Sequence, residues 1–101
     1  MIVYNITIKV SPAIEADWLV WLQQVHIPEV MATGLFTGYK FFQLLEQDDS
    51  EGATYVIQYF TATMENYQRY LQNYAAVLQQ KTFDKWNDQY IAFRTVMKVV
   101  N

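Results

Sequence analysis

Cysteine is absent from this chain of 101 residues. That excludes disulfides, thiolate metal sites and thiol catalysis, and it fits a reducing compartment. Histidine occurs once, at His26. Glycine occurs three times and proline twice. The glycines are isolated, so no phosphate-cradling loop exists. The only serines, Ser11 and Ser50, are read as a helix cap and a loop residue, which leaves a serine nucleophile without support. Cations are few as well. Seven Lys and Arg stand against ten Asp and Glu, for a net charge of −3. They are scattered at Lys9, Lys40, Arg69, Lys81, Lys85, Arg94 and Lys98. Phosphate binding draws on clustered cations, so the expectation is no nucleic-acid partner and no anionic membrane surface. No apolar run approaches the ~20 residues that span a bilayer. The opening MIVYNITIKV lacks the basic start and apolar run of a signal peptide. A cytoplasmic protein without a cofactor is therefore expected.

What the chain does have is apolar bulk: 52% hydrophobic and 17% aromatic residues. That suits one folded domain over 1–101. Residues 2–10 alternate, with Ile2, Tyr4, Ile6, Ile8 and Val10 on one face and Val3, Asn5, Thr7 and Lys9 on the other, which predicts a strand. SPAIEADW then starts a helix, with Ser11 as N-cap and Pro12 in its first turn. Ile14, Trp18, Trp21, Leu22 and Val25 form its apolar stripe. Pro28 is expected to end it near Ile27, and a short extra turn closes on Gly34. Strands follow over 35–46 and 53–61, joined by the acidic hairpin EQDDSEG. Thr63 caps a second helix with Met64, Tyr67, Leu71, Tyr74, Ala75 and Leu78 on one face. Residues 81–89 are read as a connection, and 90–100 as the last strand. The order β-α-β-β-α-β is the ferredoxin-like α+β plan: two helices on one face of a four-stranded antiparallel sheet.

Two helices cover only one face of such a sheet. Both faces of these strands carry large apolar groups: Tyr39, Phe41 and Leu45 oppose Phe42 and Leu44, Val56 and Phe60 oppose Tyr55, Ile57 and Tyr59, and Ile91, Phe93, Met97 and Val99 oppose Tyr90, Val96 and Val100. A bare face of this kind calls for a cover. A second copy packed by a two-fold axis is the simplest one, burying on the order of 1,600 Å².

The runs HIPEVMATGLF, MIVYNITIKV and FRTVMKVV resemble a small bacterial family catalogued as a domain of unknown function. The resemblance covers essentially the whole chain. It implies a dimeric α/β barrel of the ferredoxin-like kind, in a superfamily that includes small monooxygenases, stress-responsive barrel proteins, sugar mutarotases and EthD-type proteins. Several of those groups carry histidine then proline at the end of the first helix, as His26 and Pro28 do here. It implies no catalytic residue.

His26 is the natural catalytic candidate, as a general base or a hydrogen-bonding group, with Glu29 three residues later in support. The competing reading makes His26 a helix-end residue that satisfies a free carbonyl, and Glu29 a charge that steadies a short helix. One histidine and no cysteine give no metal site. Trp18, Trp21, Tyr39, Tyr55 and Tyr59 are candidates to wall a pocket for a planar apolar ligand, or simply to pack the core. Arg94 lies mid-strand among apolar neighbours and needs a partner if buried. Glu46 answers on charge, and an anionic ligand is the alternative. Three functions follow: binding of a small apolar or aromatic molecule, cofactor-free oxygenase or isomerase chemistry through His26, or a partner-binding role without ligand.

Overall fold

Alternation along the first strand sets the whole architecture. In the computed structural model, which describes residues 1–101, β1 spans Ile2–Val10 and lies inside an antiparallel sheet ordered β2-β3-β1-β4. β2 is Gly38–Gln43, β3 is Thr54–Thr61 and β4 is Tyr90–Lys98. Two helical runs, α1 over 15–31 and α2 over 64–86, cover one face. This is the ferredoxin-like fold. Tyr4, Ile6, Ile8 and Val10 of β1 join Tyr55, Ile57 and Tyr59 of β3 in the core beneath Trp18, Leu22, Ile27, Val30, Tyr70, Ala75, Leu78 and Trp86 of the helices.

Neither helix is regular. α1 is an α-helix over Glu15–Trp21, a π-turn over Leu22–His26 and an α-helix over Ile27–Met31. α2 repeats this with Met64–Tyr70, Leu71–Ala75 and Ala76–Trp86. A π-turn inserts one residue, so the buried face advances by five. Leu22 to Ile27 and Tyr70 to Ala75 are such steps, and all four side chains are buried.

Four expectations fail in these helices. Pro28 does not end the first helix. The Ile27 N–H reaches back five residues to the Leu22 carbonyl, Ile27 keeps a helical φ of −59°, and Pro28 follows on the exposed side. Val25, placed in the apolar stripe by regular periodicity, is exposed. So are Met64, Leu71 and Tyr74 of α2, while Tyr70 is buried in their stead. Residues 81–86 are helix rather than connection. The start of α1 also differs. Ser11 and Pro12 lie in a preceding turn, Ile14 precedes the first helical residue, and no side chain caps it. The Ser11 carbonyl instead accepts the Ile14 N–H at 3.1 Å. Thr63 caps α2 as expected, its hydroxyl accepting the Asn66 N–H at 3.2 Å.

Gly34 closes α1 at φ 76°, the left-handed conformation that glycine adopts freely. Gly52, at φ 132°, lies against β1 so closely that a Cβ there would stand 1.9 Å from the Val10 carbonyl oxygen. β2 and β4 are shorter than the sequence suggests, and Phe36, ahead of β2, enters the core.

The helix-free face is banded. Strand register places Gly38, Phe60, Val3 and Met97 in one cross-strand row, then Lys40, Gln58, Asn5 and Thr95, then Phe42, Val56, Thr7 and Phe93. A polar row therefore separates two largely apolar ones. Gln58 Nε2 donates to Asn5 Oδ1 at 3.4 Å within it. Phe93 is 67% exposed on this face and Ile91 59%. The short axis of the molecule is 19 Å, the depth of one helix layer on one sheet.

Candidate functional site

The space between helices and sheet gathers the chemistry. Trp18, Trp21, Leu22 and His26 descend from α1. Tyr70, Leu78, Gln79 and Thr82 come from α2. Tyr4, Ile6, Ile8, Ile57, Tyr90, Ala92 and Arg94 rise from the sheet. The enclosed cavity is narrow, about 30 Å³, enough for about two waters. Beside it, between α2 and β4, lies a surface groove of about 430 Å³ lined by Ala76, Gln79, Gln80, Phe83, Tyr90, Ala92 and Arg94. Gln79, Tyr90, Ala92 and Arg94 belong to both.

His26 lines the cavity because the π-turn carries it over Trp21, with the rings stacked at 5.0 Å. Trp86 meets Trp21 edge-on at 5.8 Å. Burial lowers the imidazole pKa from 6.5 to about 4; Glu29 opposes that shift and Arg94 adds to it. His26 is thus neutral at physiological pH. A base this weak removes protons poorly, since general bases work best with a pKa near the ambient pH. A neutral imidazole still offers one donor and one acceptor.

Glu29 stands apart. Its carboxylate accepts from Lys81 Nζ at 3.0 Å and ties α1 to α2. It does not line the cavity that His26 lines, and its carboxylate is taken up by Lys81.

The aromatic candidates divide. Trp18 and Trp21 line the cavity, whereas Tyr39, Tyr55 and Tyr59 do not. Tyr55 packs on Phe41 at 5.5 Å and Trp18 at 5.3 Å, and its hydroxyl donates to Glu15. Burial and that carboxylate push its pKa up to about 12. Tyr59 sits among Tyr4, Phe36 and Tyr39, and burial drives its pKa well up. Tyr39 is 48% exposed on the sheet edge. Sequence reading missed Tyr4, Tyr70, Gln79, Thr82 and Tyr90. Tyr4 shares the parity of Ile6 and Ile8, which was a visible signal. Tyr70 required the five-residue step.

Arg94 points to the helix-covered side, at the cavity mouth, and is exposed. Glu46 cannot be its partner. Arg94 lies on β4 at one sheet edge, and Glu46 lies beyond the end of β2 at the other.

The fold recurs in solved structures. HapK from Hahella chejuensis superposes with a TM-score of 0.74 at 10% identity, over 100% of this chain and 94% of that one. A dimeric ferredoxin-like protein from an uncultured marine organism gives 0.69 at 12%, over 100% and 96%. SnoaB, a cofactor-independent oxygenase from Streptomyces nogalater, gives 0.64 at 10%, over 99% and 93%. At these identities the likeness is one of fold. No curated protein matches the sequence. The family model described as "Domain of unknown function (DUF4286)" matches residues 1–100, and the chain belongs to that family.

Proposed function

We propose that this protein is a cytoplasmic homodimer that binds a small apolar or aromatic molecule where the α2–β4 groove meets the inner cavity. The observation that carries this reading is the lining. Ala76, Phe83, Tyr90 and Ala92 give the groove apolar walls, Gln79, Gln80 and Arg94 supply a few directed polar groups, and the cavity that shares Gln79, Tyr90, Ala92 and Arg94 with it is mostly hydrophobic. Binding sites are built in this proportion. A ring does not fit the enclosed 30 Å³, so the ligand body lies in the groove. A thermal-shift screen of small aromatic metabolites tests this. The expected result is stabilisation that rises with ligand concentration and disappears in an Ala76→Trp variant that fills the groove. Failure of a broad panel to raise Tm overturns it.

Self-association is the second half of the proposal. Phe93, Ile91, Phe42 and Met97 are too large and too exposed to face water as a group. The marine neighbour is described as dimeric, which agrees. Light scattering is expected to give twice 11.9 kDa, and a monomer would refute the pairing. An oxygenase reading draws on SnoaB and on other neighbours described as antibiotic biosynthesis monooxygenases, all at low identity, and the depressed basicity of His26 weighs against it.

A further inference from the structure

Arg94 is a cation without an anion. It lies mid-strand on β4, paired across to Ile6, on the helix-covered side. The ion pairs Arg69–Glu65 and Lys81–Glu29 leave it out. No Asp or Glu lines the cavity or the groove, although Arg94 belongs to both. Burial lowers the His26 pKa and raises those of Tyr4, Tyr70 and Tyr90; Arg94 adds a smaller push at His26 and offsets part of the rise at the tyrosines, at Tyr4 also through a hydrogen bond. The mouth of the site is therefore electropositive, rich in neutral donors and free of competing carboxylates.

We infer that this mouth is an anion subsite, in which the Arg94 guanidinium receives the carboxylate of a planar apolar acid whose ring lies along Phe83 and Ala92. The inference rests on the ligand-binding reading above and names the ligand class. Three features support it. A guanidinium fork matches a carboxylate in two parallel hydrogen bonds. Gln79 and Tyr90 line both the groove and the cavity together with Arg94, and they supply further donors. Phe83 is 51% exposed beside them and offers a face for a ring. An inward-pointing charge on an edge strand also deters edge-to-edge pairing, but any charge serves that purpose. Recognition of a carboxylate needs the fork.

Two probes that share a ring and differ in charge decide the matter: 2-naphthoate and 2-naphthamide. Each is titrated into the full chain near neutral pH, with tryptophan emission as the readout because Trp18 and Trp21 line the cavity. Naphthoate is expected to bind at least about tenfold more tightly than the amide, a charge-assisted hydrogen bond's worth. Arg94→Gln, with far-UV circular dichroism unchanged, is expected to abolish that preference and leave amide binding in place. Arg94→Lys restores it in part. Equal binding of the two probes by the wild type overturns the subsite and leaves the ligand-binding reading standing. So does a preference that survives Arg94→Gln. Failure of both probes to bind removes the subsite together with the reading beneath it.

Discussion

Trp21 and His26 stack with ring centroids 5.0 Å apart and planes 23° from parallel, although five residues separate them. In a regular α-helix that spacing turns two side chains well away from each other. The π-turn over Leu22–His26 brings them together and places the only histidine against the cavity.

Acid sensitivity follows from that burial. His26 titrates near 6.5 in an unfolded chain and at about 4 in the folded one. Below 6.5 the unfolded state takes up a proton that the folded state refuses, so stability is fully present above 6.5 and is lost as pH falls toward 4. The depressed value corresponds to on the order of 3 kcal/mol across that window. Urea melts at stepwise pH are expected to show the decline beginning above pH 5, before the carboxylates titrate. His26→Gln is expected to flatten it.

Glu29 gives the opposite expectation. Its partner Lys81 is mostly exposed, and such ion pairs contribute little. Glu29→Gln is expected to change unfolding free energy by under about 0.5 kcal/mol and leave ligand affinity unaltered. A large loss of binding by calorimetry would return Glu29 to the site.

Phe93 tests the bare sheet face. It is 67% exposed in the row with Phe42, Val56 and Thr7. Phe93→Glu places a charge at the proposed contact. Sedimentation is expected to shift from a dimer to a species of 11.9 kDa with circular dichroism preserved.

Gly52→Ala is expected to destabilise by at least about 2 kcal/mol, because positive φ and steric overlap act together. Its new Cβ would collide with the Val10 carbonyl. Denaturant unfolding measures the loss.

Deleting Gln24, an exposed residue of the π-turn, shortens the Leu22-to-Ile27 step to four. An α-helix tolerates that spacing, but Pro28 then falls inside a regular turn and costs about 3 kcal/mol. Adding Pro28→Ala to the deletion is expected to recover most of it in the same urea assay.

The strands were legible because period two is short and strict. The parity of Tyr4, Ile6 and Ile8 correctly names the buried side of β1, and the same parity in β4 puts Phe93 on the bare face. The helices were harder. Periodicity of 3.6 assumes an unbroken ladder, so it placed Val25 and Leu71 inward and missed Tyr70. The five-residue gaps from Leu22 to Ile27 and from Tyr70 to Ala75 held the correction, but such gaps also occur where a helix simply stops. The site was half visible. His26, Trp18, Trp21 and Arg94 do converge. Tyr39, Tyr55 and Tyr59 pack elsewhere, since sequence gives their face of the sheet without their distance from the opening. The Arg94–Glu46 pairing failed for a related reason: charge complementarity says nothing of which sheet edge each residue occupies.

The band of Lys40, Gln58, Asn5 and Thr95 gives the bare face a grammar as well as an appetite. Any surface that seats itself there with grease opposite this band strands amides and an ammonium away from water, a penalty that grows with every group left unanswered. Only a neighbour with polar atoms at the same latitude escapes it, so the stripe rejects ill-aligned company that its flanking rows would otherwise welcome.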